Sequence, residues 1–323
     1  MKKKNKNISG LTLVEILIGI VVSSLMMGAI YTTYSVVNNT YNQVVEKAKI
    51  SRSSRDLIEL LIRDTRMAGF KYYLGTNGKG YPKETYLTIG DGTSIPESHD
   101  PIVIIPAIKS DGTQNSLGHK LSDVIEGYVD PADAAGEFSR IPGYPSTCCD
   151  KIHIVYDDFN QNHKLQPYKR YKVTYYALKR SEGGEERYAI YKSKIQWKQA
   201  RTSDTGNFPS EGKWEAYPDC KECYHDQLVR DYVDDMEFVP IGKEGKKIAY
   251  PNPTTAEGRE SLYNLRAVDI RIAFKSKKDF FRSKNPNRNL KGFSKDAIEF
   301  DDRKLRDNIV VTVYTRNIGG DLF

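Results

Sequence analysis

The sequence has few of the residues that most often carry metal or nucleophilic chemistry. Its 323 residues include 5 His and 4 Cys. The signatures Gly-x-Ser-x-Gly, His-Glu-x-x-His and Gly-x-x-x-x-Gly-Lys-Ser/Thr are absent from it, which removes the nucleophile elbow, the zinc-protease helix and the phosphate loop. We therefore expect a protein that is not an enzyme, with no catalytic residues, no metal site and no cofactor.

The sequence also lacks a broad basic surface. The formal net charge is +7, but four of the basic residues lie within the first six positions: Lys2, Lys3, Lys4 and Lys6. Without these four lysines the net charge of the chain is +3. Nucleic-acid binders spread basic residues over the surface that faces the groove or the backbone. We expect no nucleic-acid partner.

A long segment near the N-terminus, between Glu15 and Glu46, contains no charged residue. Its most apolar part, residues 16–37, would be about 33 Å long as a helix, which matches a bilayer core of about 30 Å. Lysines precede the segment and none follows it closely, so the N-terminus is expected in the cytoplasm. The prediction is one span in contact with inner-membrane lipid, with the remaining chain exported to the periplasm.

Three kinds of segment share this pattern. A cleaved secretory signal would have a small-residue site after the apolar run, and residues 27–29 could loosely serve. A plain membrane anchor is the second kind. Neither accounts for a carboxylate, Glu15, at the start of the apolar run, or for Gly10 before it, because a carboxylate there costs a few kcal/mol and usually has a partner.

The third kind is a prepilin signal. Residues 10–15 read GLTLVE and precede the apolar run, which resembles the class III signal of type IV pilins and type II secretion pseudopilins. The resemblance implies that a prepilin peptidase/methylase removes the leader 1–10 by cutting after Gly10 and methylates Leu11. Leu11 stands where the family usually has Phe. It also implies that Glu15 pairs with the N-terminal amine of a neighbouring subunit.

Two further segments narrow the resemblance. Residues 55–70 read RDLIELLIRDTRMAGF and resemble the end of the long helix in PilW minor pilins, and residues 307–317 read DNIVVTVYTRN and resemble their last strand. This implies a minor pilin that assembles with other minor pilins and the major pilin in a tip or priming complex, and then lies on the pilus at the cell surface. Minor pseudopilin J of type II secretion shares the helix-end pattern, and a tip adhesin or ligand-binding module is a further alternative.

The pattern along the chain predicts an α+β, pilin-like fold. Residues 11–68 contain no proline, so one transmembrane and then amphipathic helix is possible, with Gly69 as its stop. Residues 69–150 are rich in Gly and Pro and are expected to be a loop-rich inserted region of the head, with one strand at 101–108.

Residues 151–323 are expected to form an antiparallel sheet on which the helix packs. Alternating apolar residues predict six strands there, with a hairpin turn at 181–184. The predicted strands are 151–156, 169–178, 186–195, 235–240, 266–274 and 308–314.

The four cysteines are Cys148, Cys149, Cys220 and Cys223. In an exported head, disulfides are favoured over a zinc site, and adjacent cysteines are poor zinc chelators. Four cysteines allow three pairings. We expect two bridges that join 148–149 to 220–223 rather than a local bridge within each pair.

Overall fold

The computed structural model describes residues 12–70, 99–105, 148–159, 168–182, 185–199, 212–248, 264–281, 293 and 302–318. The chain divides into two units, the first ending at Lys49 and the second, the head, beginning at Ile50. The predicted leader, most of the loop-rich region 69–150 and the second half of the strand predicted at 101–108 lie outside the described residues.

One helix, α1, runs from Leu13 to Met67. Thr12 precedes its first turn, and Gly69 follows its last turn with a φ of 72°, a left-handed conformation that favours glycine. No proline interrupts the helix, so its backbone ladder is continuous over 55 residues.

The head contains an antiparallel sheet whose strands follow the order β1-β2-β3-β4-β6-β7-β8, with β5 paired to β4. Together with α1 this confirms the predicted α+β class. The strands are β1 Ile102–Ile105, β2 Lys151–Phe159, β3 Tyr168–Glu182, β4 Glu185–Gln199, β5 Gly212–Glu215, β6 Tyr224–Gly242, β7 Leu265–Asp279 and β8 Lys304–Tyr314.

The β3–β4 hairpin turns where it was predicted, because Glu182 pairs with Glu185. Strand β6 is much longer than the predicted 235–240. Its first half pairs with β4 and its second half, from Val233, pairs with β7, with register shifts in both ladders. The first half carries charged residues in place of apolar alternation, which is why the pattern did not predict it. Strand β5 was also not predicted.

The main core lies between one face of the sheet and the inward face of the second part of α1. The helix contributes the buried residues Ile50, Leu57, Ile58 and Leu61, and Ala68 follows directly after its end. They pack on alternate residues of the strands, among them Ile152, Ile154, Val173, Tyr175, Phe238, Val268, Ile270 and Ile272. Every second residue of the strands and every third or fourth residue of the helix therefore face the same core.

The opposite face of β2 and β3 is also buried, and it is polar. Arg170 donates to both carboxylate oxygens of Asp157, with N···O distances of 2.7 and 3.1 Å, and neither side chain is exposed to solvent. His99 lies beside Arg170 and stacks on Trp214, with ring centroids 5.0 Å apart. Burial, Arg170 and Lys172 hold the pKa of His99 well below its ordinary value.

The sheet curls so that the chain entering β2 reaches β6. Asp150 donates its backbone N–H to the Met236 carbonyl, and its carboxylate accepts from the Phe238 N–H, at 2.8 and 2.9 Å. Since β3 and β4 separate β2 from β6 in the sheet, these bonds close the sheet on the stretch of β6 that β4 leaves unpaired.

Candidate functional site

The first turn of α1 is fixed by a reciprocal capping box. The Oε2 atom of Glu15 accepts hydrogen bonds from the backbone N–H and from the hydroxyl of Thr12, each at 2.9 Å. The Glu15 N–H in turn donates to the Thr12 hydroxyl at 3.3 Å. This exchange satisfies two N–H groups that a helix start leaves without an intrahelical partner.

The capping box leaves half of the Glu15 carboxylate available. Within the described part of the chain, Oε1 accepts no hydrogen bond, and the side chain is exposed. A carboxylate in the first helical turn is also stabilised by the helix dipole. Glu15 can therefore accept one further donor or cation without losing its bonds to Thr12.

The segment after Glu15 is apolar and exposed. Its 18-residue window has a mean hydropathy of 2.3, and α1 is the helix in the described residues that is long and apolar enough to cross a membrane. Several hydroxyl side chains in this segment bond back to the helix itself: Ser24 donates to the Ile20 carbonyl and Thr33 to the Ala29 carbonyl, at 2.7 and 2.9 Å. Such bonds satisfy hydroxyl groups where no water is present.

The head end of α1 is held by a buried charged residue. Asp64 accepts from the Tyr175 hydroxyl and from the Lys192 ammonium, both at 2.7 Å, and Arg63 approaches it at 3.2 Å. Burial and the Asp64 carboxylate raise the pKa of the Tyr175 hydroxyl. The carboxylate thus bonds the helix to both β3 and β4.

The end of α1 and the residues just after it are bonded to β2 and to the chain that follows β8. The Gly69 N–H donates to the Val155 carbonyl in β2 at 2.8 Å, and the Asp157 N–H donates to the Phe70 carbonyl at 3.0 Å. After β8, the Asn317 amide donates to the carbonyls of Arg66 and Ala68, at 3.0 and 3.3 Å. The bond from Asn317 to Arg66 satisfies one of the carbonyls that a helix end leaves unpaired.

Of the residues predicted for processing and assembly, the structure describes Glu15. Glu15 lies in the capping box, while Gly10 and Leu11 lie outside the described residues. Sequence reasoning missed Thr12, although Thr12-x-x-Glu15 is itself a capping-box signature that could have revealed it. It also missed the contacts of Asn317 and Lys192, for which no local sequence pattern exists.

All four cysteines form disulfides, and the pairing is local: Cys148 with Cys149, and Cys220 with Cys223. The predicted bridges between the two pairs were therefore wrong. Cys223 directly precedes β6, whereas the Cys148 sulfur lies 3.3 Å from the Asp234 carbonyl, eleven residues further along the chain. That is about 35 Å of strand, whereas a disulfide needs Cα atoms within about 7 Å.

Comparisons with known proteins identify the N-terminal segment. The family described as the prokaryotic N-terminal methylation motif matches residues 5–31. No curated protein matches the chain significantly. Among solved structures, a type IV-like pilin from Thermus thermophilus is similar, with a TM-score of 0.30 and 10% identity over 55% of this chain and 83% of that chain.

A similarity with a TM-score of 0.30 supports no conclusion about function. We describe the fold from the helix and strands of this chain alone. The motif match covers Gly10, Leu11, Thr12 and Glu15 and continues into the apolar part of α1. The chain therefore has a prepilin-type methylation motif at its N-terminus and a pilin-like arrangement of one long helix and an antiparallel sheet.

Proposed function

We propose that this protein is a PilW-like minor pilin that takes part in type IV pilus assembly. It is inserted in the inner membrane with its N-terminus in the cytoplasm, cleaved after Gly10 and methylated at Leu11. It then packs with other minor pilins and the major pilin in a tip or priming complex. The role is structural rather than catalytic. The methylation motif at 5–31, continuous with an exposed apolar helix, is the main support.

The Glu15 carboxylate supports the assembly step. Cleavage after Gly10 would create an amine four residues before Glu15, at the same end of the helix. Within one subunit, Glu15 already accepts from Thr12 through Oε2, while Oε1 has room for a second donor. The cationic amine of a neighbouring subunit is such a donor, and in a membrane of low dielectric constant the attraction between the two charges is strong.

The junction at the head end supports the PilW-like assignment. The two segments that carry the resemblance, 55–70 and 307–317, meet in the fold through the bonds of Asn317 to Arg66 and Ala68. Asp64 and Gly69, both part of the helix-end pattern, make the bonds to the sheet. The two sequence patterns thus belong to one structural unit.

Processing tests the proposal first. Intact-mass analysis of the chain from membranes with active prepilin peptidase should give a form that begins at Leu11 and carries one methyl group. Gly10→Val should leave the chain uncleaved, because the peptidase requires a residue without bulk before the cut. A mature form that begins near Ile30, or only the form that begins at Met1, would contradict the proposal.

A deletion strain separates pilus assembly from secretion. Loss of pili with normal secretion supports the minor pilin. Loss of secretion with normal pili supports minor pseudopilin J instead, whose helix end has the same pattern. The deletion is complemented with the wild-type chain as a control.

A further inference from the structure

The local disulfide Cys148–Cys149 lies next to a carboxylate from a distant part of the chain. The two sulfur atoms and a carboxylate oxygen of Asp235 lie within 4.8 Å of one another, and all three residues are buried. Cys148 and Cys149 precede β2, whereas Asp235 is in the middle of β6. The fold therefore brings together three potential metal ligands that the sequence keeps apart.

Contacts other than the S–S bond also hold this part of the chain against β6. Asp150, the next residue, is bonded to β6 through both its backbone N–H and its carboxylate. The Cys148 sulfur lies 3.3 Å from the Asp234 carbonyl, an acceptor that a protonated thiol can use. These contacts hold the backbone next to the pair on β6, so we expect both sulfurs to stay near Asp235 when the bridge is reduced.

Asp235 is itself held in place. Arg271 donates to Asp235 at 2.8 Å and to Glu237 at 3.0 Å, and none of the three side chains is more than 1% exposed. A carboxylate fixed in this way presents an oxygen ligand at a defined position. Tight support of a ligand by neighbouring hydrogen bonds is typical of protein metal sites.

We infer that Cys148, Cys149 and Asp235 form a redox-gated site for one thiophilic divalent cation. A dithiol reductant breaks the S–S bond, supplies two electrons and two protons, and becomes a disulfide. The cation then displaces the two thiol protons and binds both thiolates and the Asp235 carboxylate. Two sulfur ligands and one oxygen ligand favour zinc-like or softer ions over magnesium or calcium.

This site differs from a four-cysteine zinc centre. Cys220 and Cys223 lie at the opposite end of the first half of β6 and cannot contribute ligands. Adjacent cysteines alone are poor chelators, and Asp235 supplies the third ligand that the sequence pattern could not reveal. The inference does not depend on the proposed role in pilus assembly.

Cadmium binding to the full chain in detergent micelles tests the inference. The variant Cys220→Ser/Cys223→Ser serves as the background, so that only the adjacent pair can bind. The chain is reduced with a dithiol, desalted without oxygen and titrated with cadmium, with equilibrium dialysis and the thiolate-to-cadmium ultraviolet band as readouts. We expect one cadmium ion per reduced chain and none per oxidised chain.

Two carboxylate variants locate the third ligand. Asp235→Asn keeps the shape and should weaken cadmium binding by about 10–100-fold, the loss typical when even a supporting partner of a metal ligand is removed. Glu244→Gln, at an exposed carboxylate just after β6, is the control and should bind as the background does. Equal affinity of Asp235→Asn and the background would overturn the inference, as would the absence of cadmium binding to the reduced chain.

A second measurement does not require the Asp235 variant to fold. In the reduced background chain, one equivalent of cadmium should slow alkylation of both Cys148 and Cys149 by iodoacetamide at least tenfold, as read by peptide mass. Unchanged alkylation of either cysteine would overturn the inference.

Discussion

The two units of the chain differ in the exposure of their apolar residues. In the first part of α1, Leu17 and Leu25 are 55% and 70% exposed, whereas in the head Leu57 and Leu61 are 1% and 0% exposed. Both pairs lie in one continuous helix. The first unit therefore leaves its apolar residues exposed, as we expect of a helix that packs in lipid or against neighbouring subunits, while the head buries them in its own core.

Charged residues show the same contrast. The head contains buried charges that are paired within the chain, such as Asp64 with Lys192 and Asp157 with Arg170. The first unit has no charge between Glu15 and Glu46, and among the described residues Glu15 bonds to Thr12 at the start of its own helix. Each buried charge in the head therefore needs its partner for the head to be stable, whereas Glu15 caps the first turn of α1 and makes no bond to the described residues of the head.

The largest expected effect is at Asp64. Asp64→Ala leaves the Lys192 ammonium and the Tyr175 hydroxyl buried without their partner, which should lower the free energy of unfolding of the head by about 3–5 kcal/mol. Urea unfolding in detergent micelles, followed by the fluorescence of the two tryptophans in the head, measures this. Asp56→Ala, an exposed carboxylate in the same helix, should change it by less than about 0.5 kcal/mol. Equal effects would remove the distinction between buried and exposed charges.

A leucine pair compares the two parts of α1 directly. Leu61→Ala creates a cavity in the core and should lower the free energy of unfolding of the head by about 2–5 kcal/mol. Leu17→Ala makes the same chemical change at an exposed side chain of the first unit, so the unfolding curve of the head should not move. A matching loss for Leu17→Ala would mean that the first unit contributes to the stability of the head.

A smaller effect concerns pH. Because the pKa of His99 is well below its ordinary value in the folded head, the unfolded chain binds more protons below about pH 6.5, and stability should fall as pH falls, by up to about 1.4 kcal/mol per pH unit. His99→Gln keeps an acceptor for Arg170 and should remove this part of the slope between pH 6.5 and pH 5. Identical slopes for both chains would contradict the assignment.

The sequence predicted the elements with strong periodic patterns and missed those set by distant contacts. Helix α1, the β3–β4 turn and β7 follow from proline absence, turn residues and alternation. The first half of β6 did not, because its partner β4, rather than its own pattern, makes it a strand.

The residues of the candidate site likewise fall into those that a local sequence pattern predicts and those that depend on distant contacts. The sequence singled out Glu15 because this carboxylate lies at the start of a long uncharged segment. Thr12 could have been predicted as its capping partner from the Thr-x-x-Glu spacing. The disulfide pairing, the Asp64 bonds and the contact of Asn317 with the helix end depend on how the sheet curls. Local patterns carry no information about that curvature.

We propose that the Glu15 carboxylate acts between subunits rather than in the stability of the head. Glu15→Gln isolates this role, because the amide can still accept from Thr12 and only the charge is lost. Glu46→Gln, the same change at the other end of the uncharged run, is the control. In a strain that lacks the wild-type copy, we expect Glu15→Gln to be inserted and cleaved, to unfold as the wild type does, and to restore few or no pili, while Glu46→Gln restores them. Wild-type pilus numbers with Glu15→Gln, at matched protein level, would contradict the proposal.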